Sequence, residues 1–174
     1  MWAGTKTVFG AVLVWVVVRF VPAEFMAGWV GMIGLALILH FGLFELLSLF
    51  WRSAGVNAQP IMRSPLLATS LSDFWGRRWN LGFRQLTHDL IFRPLRVRTD
   101  GAFAMLMSFL ASGLIHDLVI SLPARGGYGL PTAYFLLQGY GILLERSALG
   151  QRLGLGSGLR GWLFMAVWTG GPAC

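Results

Sequence analysis

"AFAMLMSFLASGLIHDLVISL", residues 102–122, is an almost continuous apolar run with one histidine and one aspartate inside it. A helix of this length crosses the roughly 30 Å hydrocarbon core of a bilayer. Ionisable side chains within such a helix cost about 2.5 to 3.5 kcal/mol when charged, so His116 and Asp117 require a reason. The run predicts a transmembrane helix that carries functional or pairing groups.

Four further apolar runs predict that the chain crosses the membrane several times. The first is short, and the last is still apolar where the sequence stops at Cys174. We therefore predict an all-α, polytopic transmembrane helical bundle, and we expect the chain to be incomplete. The four runs are 7–18, 25–44, 128–144 and 162–174.

Composition agrees with a membrane protein and argues against other classes. The chain is 56% hydrophobic and 12% charged, and soluble domains carry about twice that charged fraction. The net charge of +7 comes from arginines between apolar runs, and no nucleic-acid recognition module is present, so we expect no nucleic-acid partner. Cys174 is the single cysteine, which excludes a disulfide framework and a thiolate metal site.

The distribution of arginine predicts three regions and an orientation. Spans occupy residues 1–51, a basic and aromatic loop occupies 52–101, and further spans occupy 102–174. The positive-inside rule places this loop in the cytoplasm. The loop arginines are Arg52, Arg63, Arg77, Arg78, Arg84, Arg93, Arg96 and Arg98.

Part of this loop has the pattern of an interfacial amphipathic helix. Phe83, Leu86 and Leu90 recur at helical spacing, with polar residues on another face, until Pro94 ends the pattern. We expect the apolar face to contact the bilayer and the basic face to contact headgroups or an anionic ligand. The polar residues are Arg84, Gln85 and His88.

His116 is the candidate general base. Burial disfavours imidazolium, so we expect a neutral ring that accepts a proton. Ser112 lies one turn earlier on the same side, while Asp117 points about 100° away toward another partner. The alternative is a structural hydrogen bond from His116 to a neighbouring helix.

The remaining histidines carry less information. His40 and Glu45 are five residues apart and point in different directions, which makes them a poor metal pair and favours structural roles. His88 and Asp89 have the pattern of a solvated face. No spacing is typical of a zinc helix, a P-loop or a nucleophile elbow, so we predict no metal site.

The stretch "SLSDFWGRRWN", residues 70–80, is dense in tryptophan and arginine. An interfacial anchor, with tryptophans at the headgroups and arginines on lipid phosphate, is one interpretation. Such an anchor does not require Gly76 or Asn80.

Together, "SLSDFWGRRWN" and the later "FLASGLIHD" resemble the membrane-bound O-acyltransferase superfamily, and most closely its wax synthase-like branch. The sequence "GGYGLPTAYFLLQGYGILLER", residues 126–146, fits the same family. One departure is Asp117, where many relatives have glutamate after the histidine.

The resemblance implies transfer of an acyl group from acyl-coenzyme A to the hydroxyl of a lipophilic alcohol, inside a membrane chamber. His116 would be the general base, and Asn80 would either donate a hydrogen bond to the oxyanion or orient the acceptor. Acyl-coenzyme A would be a co-substrate, with no bound cofactor. The implied substrate-binding residues are Ser112, Arg77 and Arg78 for the phosphates, and Trp75 and Trp79 at the entrance or on the adenine.

A non-enzymatic polytopic membrane protein, such as a transporter subunit or scaffold, is the alternative function. The two functions predict different surroundings for His116. The enzyme requires Asn80 and His116 to line one cavity, whereas the alternative requires His116 to face a packed helix.

Overall fold

The computed structural model describes residues 3–57 and 60–171 of the chain, and all regular elements in these residues are helices. The predicted all-α fold is confirmed. The α-helices are α1 (Ala3–Trp15), α2 (Glu24–Ile38), α3 (Phe44–Ser53), α4 (Leu71–Asp73), α5 (Leu81–Thr87), α6 (Arg93–Arg96), α7 (Gly101–His116), α8 (Leu122–Ala124), α9 (Leu130–Arg146), α10 (Ala148–Leu153) and α11 (Gly158–Gly170). Short π-helical segments occupy Leu39–Leu43, Phe74–Arg78, His88–Phe92 and Asp117–Ser121, and 3₁₀ turns occupy Val17–Phe20 and Pro65–Leu67.

Within the described residues, three helical stretches are long and apolar enough to cross a membrane: Ala3–Phe20, Met26–Ser53 and Gly101–Ala124. They correspond to the predicted runs 7–18, 25–44 and 102–122. The first run, which looked short in the sequence, is lengthened to 18 residues by the 3₁₀ turn after α1.

The two later apolar runs form shorter helices. Helix α9 has 17 residues and is about 26 Å long at 1.5 Å per residue. Helix α11 has 13 residues before the described chain ends. Within the part of the chain that the structure describes, neither helix meets the length and composition that crossing a membrane requires. Cys174 lies outside the described residues.

The chain divides into two compact units, one through Arg63 and one from Ser64. In the first unit α1 and α2 pack closely, since a Cβ on Gly10 would lie 2.6 Å from the carbonyl oxygen of Gly34. Lys6 Nζ donates to Glu45 Oε2 at 3.0 Å. His40 contacts Phe44 edge-on, with ring centroids 5.6 Å apart. Glu45 therefore pairs with Lys6 whereas His40 packs on Phe44. These separate structural contacts are what the five-residue spacing of His40 and Glu45 predicts.

In the second unit the "SLSDFWGRRWN" segment packs against α7, α9 and α11 and forms part of the core. Leu71 is fully buried in a cluster with Ala68, Ile142 and Met165. Trp75 and Phe74 pack against that cluster. The segment is thus held by contacts within the protein. Trp75 packs against the core, and Trp79 stacks on Phe74.

A buried carboxylate on α9 holds this segment in place. Glu145 Oε2 accepts hydrogen bonds from the backbone N–H groups of Leu71 at 2.6 Å and Ser72 at 3.2 Å. Ser70 Oγ accepts the N–H of Asp73, which caps the same turn. These bonds satisfy the backbone donors that a helix N-terminus leaves unpaired.

Helices α7 and α9 are joined by a second carboxylate and by a close approach. Asp117 accepts hydrogen bonds from the backbone N–H groups of Gly129 and Thr132 and from the Thr132 hydroxyl. A Cβ on Gly113 would lie only 2.5 Å from the Thr132 Cα, so the glycine permits this contact one turn before His116. Asp117 therefore serves the start of α9, a partner distinct from those of His116.

Residues 81–96 are helical where the sequence predicts an interfacial helix, and two details differ from the prediction. The helix continues past Pro94 to Arg96, because the His88–Phe92 π turn precedes α6 and Pro94 lies in the first turn of that helix, where its missing N–H is tolerated. Leu86 and Leu90 are exposed, as predicted, whereas Phe83 faces a cavity.

The close approach at Gly113 predicts a large effect of a single methyl group. Gly113→Ala should lower the free energy of unfolding by about 1–3 kcal/mol, because the α9 backbone must shift. Gly82→Ala is the matched control, since a Cβ there meets nothing within 4 Å. Thermal unfolding in detergent measures both, and equal midpoints would contradict the proposed contact.

Candidate active site

A cavity of about 530 Å³ lies in the second unit, and Asn80 and His116 both line it. This convergence is what the enzyme interpretation requires, whereas a scaffold would bury His116 against a packed helix. Of the other predicted site residues, Trp75, Trp79 and Ser112 also line the cavity. Arg77 and Arg78 do not belong to the lining.

The hydrogen bond at His116 determines which ring nitrogen can act as a base. His116 Nδ1 lies 2.7 Å from the backbone oxygen of Ser112. A carbonyl oxygen only accepts hydrogen bonds, so Nδ1 carries the proton in the neutral ring. Nε2 is then the nitrogen with the lone pair, which is the arrangement that a general base needs.

Aromatic side chains hold the His116 ring on two sides. The Phe135 ring from α9 lies 4.4 Å away, centroid to centroid, and the Phe83 ring from α5 lies 6.0 Å away at 85°. Both phenylalanines line the cavity. The imidazole is therefore positioned by its own helix and by two neighbouring helices.

Asn80 combines a structural role with its place on the cavity wall. Its backbone is left-handed, with φ of +41°, and its Oδ1 accepts the Phe83 N–H at 3.3 Å as the cap of α5. Asparagine tolerates this conformation better than most residues. Because Oδ1 caps the helix, Nδ2 is the donor end of the amide, and the orientation of the amide is fixed.

A fully buried glutamine fixes the aromatic wall of the cavity. Gln138 Oε1 accepts the Trp75 Nε1–H at 3.2 Å, and Gln138 Nε2 donates to the Trp168 carbonyl at 3.0 Å. The Trp75 ring contacts Phe109 and Phe135, with centroids 5.7 and 5.6 Å away. Gln138 is not among the predicted site residues, although an amide within an apolar run is a signal that could have identified it.

Arg77 and Arg78 have a different environment from the one expected for phosphate-binding residues. Both pair with Asp73: Arg77 Nε lies 2.9 Å from Oδ1 and Arg78 Nε lies 2.6 Å from Oδ2. Burial raises the pKa of Asp73, but the hydrogen bond and charge of Arg78, with smaller contributions from Thr69 and Arg77, outweigh it and hold the pKa below its ordinary value. The two arginines stabilise the turn that carries the tryptophans.

The cavity is lined instead by three different arginines, and by a second histidine in addition to His116. The sequence pattern places Arg84 and His88 on the polar face of the predicted helix, whereas it does not indicate Arg96 or Arg146 as site residues. His88 Nδ1 lies 3.1 Å from Asp89 Oδ1 and its ring stacks on Phe92. His88 is therefore only partly solvated, and the basic charge at the cavity comes from Arg84, Arg96 and Arg146.

The cavity serines are engaged within their own helix. Ser112 Oγ donates to the Ser108 carbonyl at 2.8 Å, and Ser108 Oγ donates to the Ala104 carbonyl at 2.9 Å. Neither hydroxyl is hydrogen-bonded to the His116 ring in these contacts. No trio of His, Cys, Asp or Glu side chains that could hold a metal ion occurs among residues 3–57 and 60–171.

Comparison with known proteins shows that part of the chain is similar to one family. The model of the membrane bound O-acyl transferase family matches residues 58–137, which include Asn80 and His116. The predicted resemblance to the membrane-bound O-acyltransferases is confirmed. With the spanning helices, it indicates an integral membrane protein.

The curated relatives are long-chain-alcohol O-fatty-acyltransferases, so the chain is similar to the wax synthase-like branch. A long-chain-alcohol O-fatty-acyltransferase of Simmondsia chinensis is 36% identical over 100 residues, covering 52% of this chain and 28% of the relative. The probable long-chain-alcohol O-fatty-acyltransferase 8 of Arabidopsis thaliana is 37% identical over 102 residues, covering 53% and 30%. The chain thus spans less than a third of the length of these relatives. No solved structure matches it.

The ion pairs of Asp73 predict that the stability of the second unit is sensitive to acid. The native pKa lies below the ordinary value of 3.8, so the unfolded chain takes up this proton at a higher pH than the native protein. The contribution to stability is complete above that value and is lost as the pH falls through the native pKa. Asp73→Asn should lower the free energy of unfolding by about 1–3 kcal/mol near neutral pH.

Thermal unfolding of wild type and Asp73→Asn, measured in detergent between neutral pH and about pH 3, tests this pH dependence. The difference between the two midpoints should shrink toward the acidic end, because protonation of Asp73 removes its charge. A difference between them that stays constant over the whole range would contradict the assignment.

Proposed function

We propose that this chain contributes the catalytic cavity of a membrane O-acyltransferase that transfers an acyl group from acyl-coenzyme A to the hydroxyl of a lipophilic alcohol. The observation that carries the proposal is that His116 and Asn80 line one cavity. The names of the relatives, which are long-chain-alcohol O-fatty-acyltransferases, support the same chemistry.

His116 acts as the general base in this mechanism. Its Nδ1–H is held by the Ser112 carbonyl, so Nε2 takes the proton from the alcohol as the alcohol oxygen attacks the thioester carbon. Such assistance contributes about 10²- to 10⁴-fold to a rate. The imidazolium then returns the proton to the departing thiolate, and the ring is neutral again.

Asn80 stabilises the negative charge on the former carbonyl oxygen. Its Oδ1 is committed to the Phe83 N–H, so the amide presents Nδ2 as the donor. A donor that is fixed before the reaction requires no reorganisation when charge develops, which is the property of an oxyanion hole.

Transfer is direct, with no acyl-enzyme intermediate. Ser108 and Ser112 donate their hydroxyl protons to carbonyl oxygens one turn earlier, and a serine nucleophile requires a base at its hydroxyl. The alcohol oxygen is therefore the group that attacks the thioester.

The charge of the cavity wall suits a donor with an anionic end. Arg84, Arg96 and Arg146 line the cavity, and guanidinium groups bind phosphate in a bidentate manner. The aromatic side chains Trp75, Phe109 and Phe135 provide apolar walls for alkyl chains. Trp79, stacked on Phe74 with centroids 5.3 Å apart, lines the same cavity. The basic loop, on the cytoplasmic side, would receive coenzyme A.

Replacement of His116 tests the function. Membranes containing the wild-type protein should form ester from a panel of acyl-coenzyme A donors and alcohols, and His116→Ala should lower kcat by at least about 100-fold. His40→Leu is the control, because His40 does not line the cavity. Acyl transfer by His116→Ala near the wild-type rate, or no ester from the wild type with any pair, would contradict the proposal.

A variant of Asn80 separates its two roles. Asn80→Asp keeps an oxygen that caps α5 and a residue type that tolerates the left-handed backbone, but it removes the Nδ2 donor. We expect a near wild-type melting temperature and a loss in kcat of about 10²- to 10³-fold. If activity persists while the melting temperature falls, Asn80 is a helix cap only.

A further inference from the structure

Gly76 lies in the middle of the π turn between two tryptophans, and it lines the cavity. Its neighbours Trp75 and Trp79 line the same cavity with large side chains. Glycine at this position is explained either by a requirement of the fold or by the space that the absent side chain leaves in the cavity.

The structural reasons for glycine are absent at this position. The backbone of Gly76 is not left-handed: the glycines with positive φ in the described chain are at positions 55, 127, 129, 154 and 158. No close packing requires it either, because a Cβ built on Gly76 meets no atom within 4 Å. By contrast, a Cβ on Gly113 or Gly141 would overlap neighbouring atoms.

Helix propensity also argues against a structural reason. Glycine within a helix is about 1 kcal/mol less favourable than alanine, so Gly76 carries a cost that the fold does not require. A Cβ at position 76 would enter open space, and Gly76 is one of the residues that line the cavity.

We infer that Gly76 is a specificity-determining residue, whose missing side chain leaves room for an alkyl chain of a substrate beside the Trp75 wall. The inference rests on the proposed function. The alkyl chain belongs either to the acyl donor or to the alcohol, and both have the same chemistry at this wall. Larger residues at this position should therefore shorten the chains that the cavity accepts.

A size series at this position tests the inference. Gly76→Ala, Gly76→Leu and Gly76→Phe are compared with Gly82→Leu, since Gly82 also has no atom within 4 Å of a built Cβ but does not line the cavity. Gly76→Leu should lower kcat/KM for the longest chains at least about tenfold more than for the shortest chains. Gly82→Leu should leave the chain-length profile unchanged.

Varying one substrate at a time identifies the chain. Donor length is varied with a single alcohol, and alcohol length is then varied with a single donor. A selective loss in either series supports the inference and identifies which chain passes Gly76. An equal loss at all lengths in both series, or no loss, would overturn it.

Binding of a photoactivatable long-chain fatty alcohol separates this inference from the proposed function. Crosslinking of the probe to the second unit should fall with the size of the residue at position 76 and remain unchanged in Gly82→Leu. If the wild type makes no ester but crosslinking falls in this order, the proposed function fails and the spatial role of Gly76 stands. If the wild type makes ester and crosslinking is equal in all variants, Gly76 has no such role.

Folding of each variant is checked by thermal unfolding. Gly76→Ala introduces one methyl group into open space, so it should melt at or above the wild-type temperature. If Gly76→Leu and Gly76→Phe do not fold, the chain-length profile of Gly76→Ala decides the question, because a single methyl group still shifts discrimination between long chains measurably.

Discussion

The buried carboxylate of Glu145 is the contact on which the second unit depends. It accepts the backbone N–H groups of Leu71 and Ser72 and so fixes the start of the tryptophan-rich segment against α9. A buried charge is costly unless it is hydrogen-bonded, and here the unpaired donors of a helix start supply the bonds. This contact fixes the start of the segment that carries Trp75, Gly76 and Asn80 to the cavity.

Asp117 performs the corresponding task at the other end of α9. It accepts the N–H groups of Gly129 and Thr132, so one carboxylate holds each end of the helix. Between these two points Gly113 permits α7 and α9 to approach closely. His116 and Phe135 consequently face each other at 4.4 Å, and the cavity forms where the tryptophan-rich segment closes this helix pair.

The same residue types have different roles on the two sides of this wall. Arg77 and Arg78 pair with Asp73 and stabilise the turn, whereas Arg84, Arg96 and Arg146 line the cavity. Asn80 caps α5 with its side-chain oxygen and is also one of the residues that line the cavity. Gln138 is hidden behind the wall and orients Trp75. Structural hydrogen bonds thus fix the groups that the proposed reaction uses.

The sequence alone determined the helical class, three of the predicted spanning runs and the two central candidates, Asn80 and His116, because hydropathy and short motifs are local properties of the chain. It also indicated that Asp117 serves a partner other than that of His116. Tertiary structure decided which arginines line the cavity, that Phe83 lines it while Leu86 and Leu90 are exposed, and that the helix passes Pro94. These outcomes depend on contacts such as Glu145 with Leu71, between residues far apart in sequence, and on π turns that shift the faces of the helices. Neither is encoded in residue spacing, since the partner of each group is selected only when the helices pack.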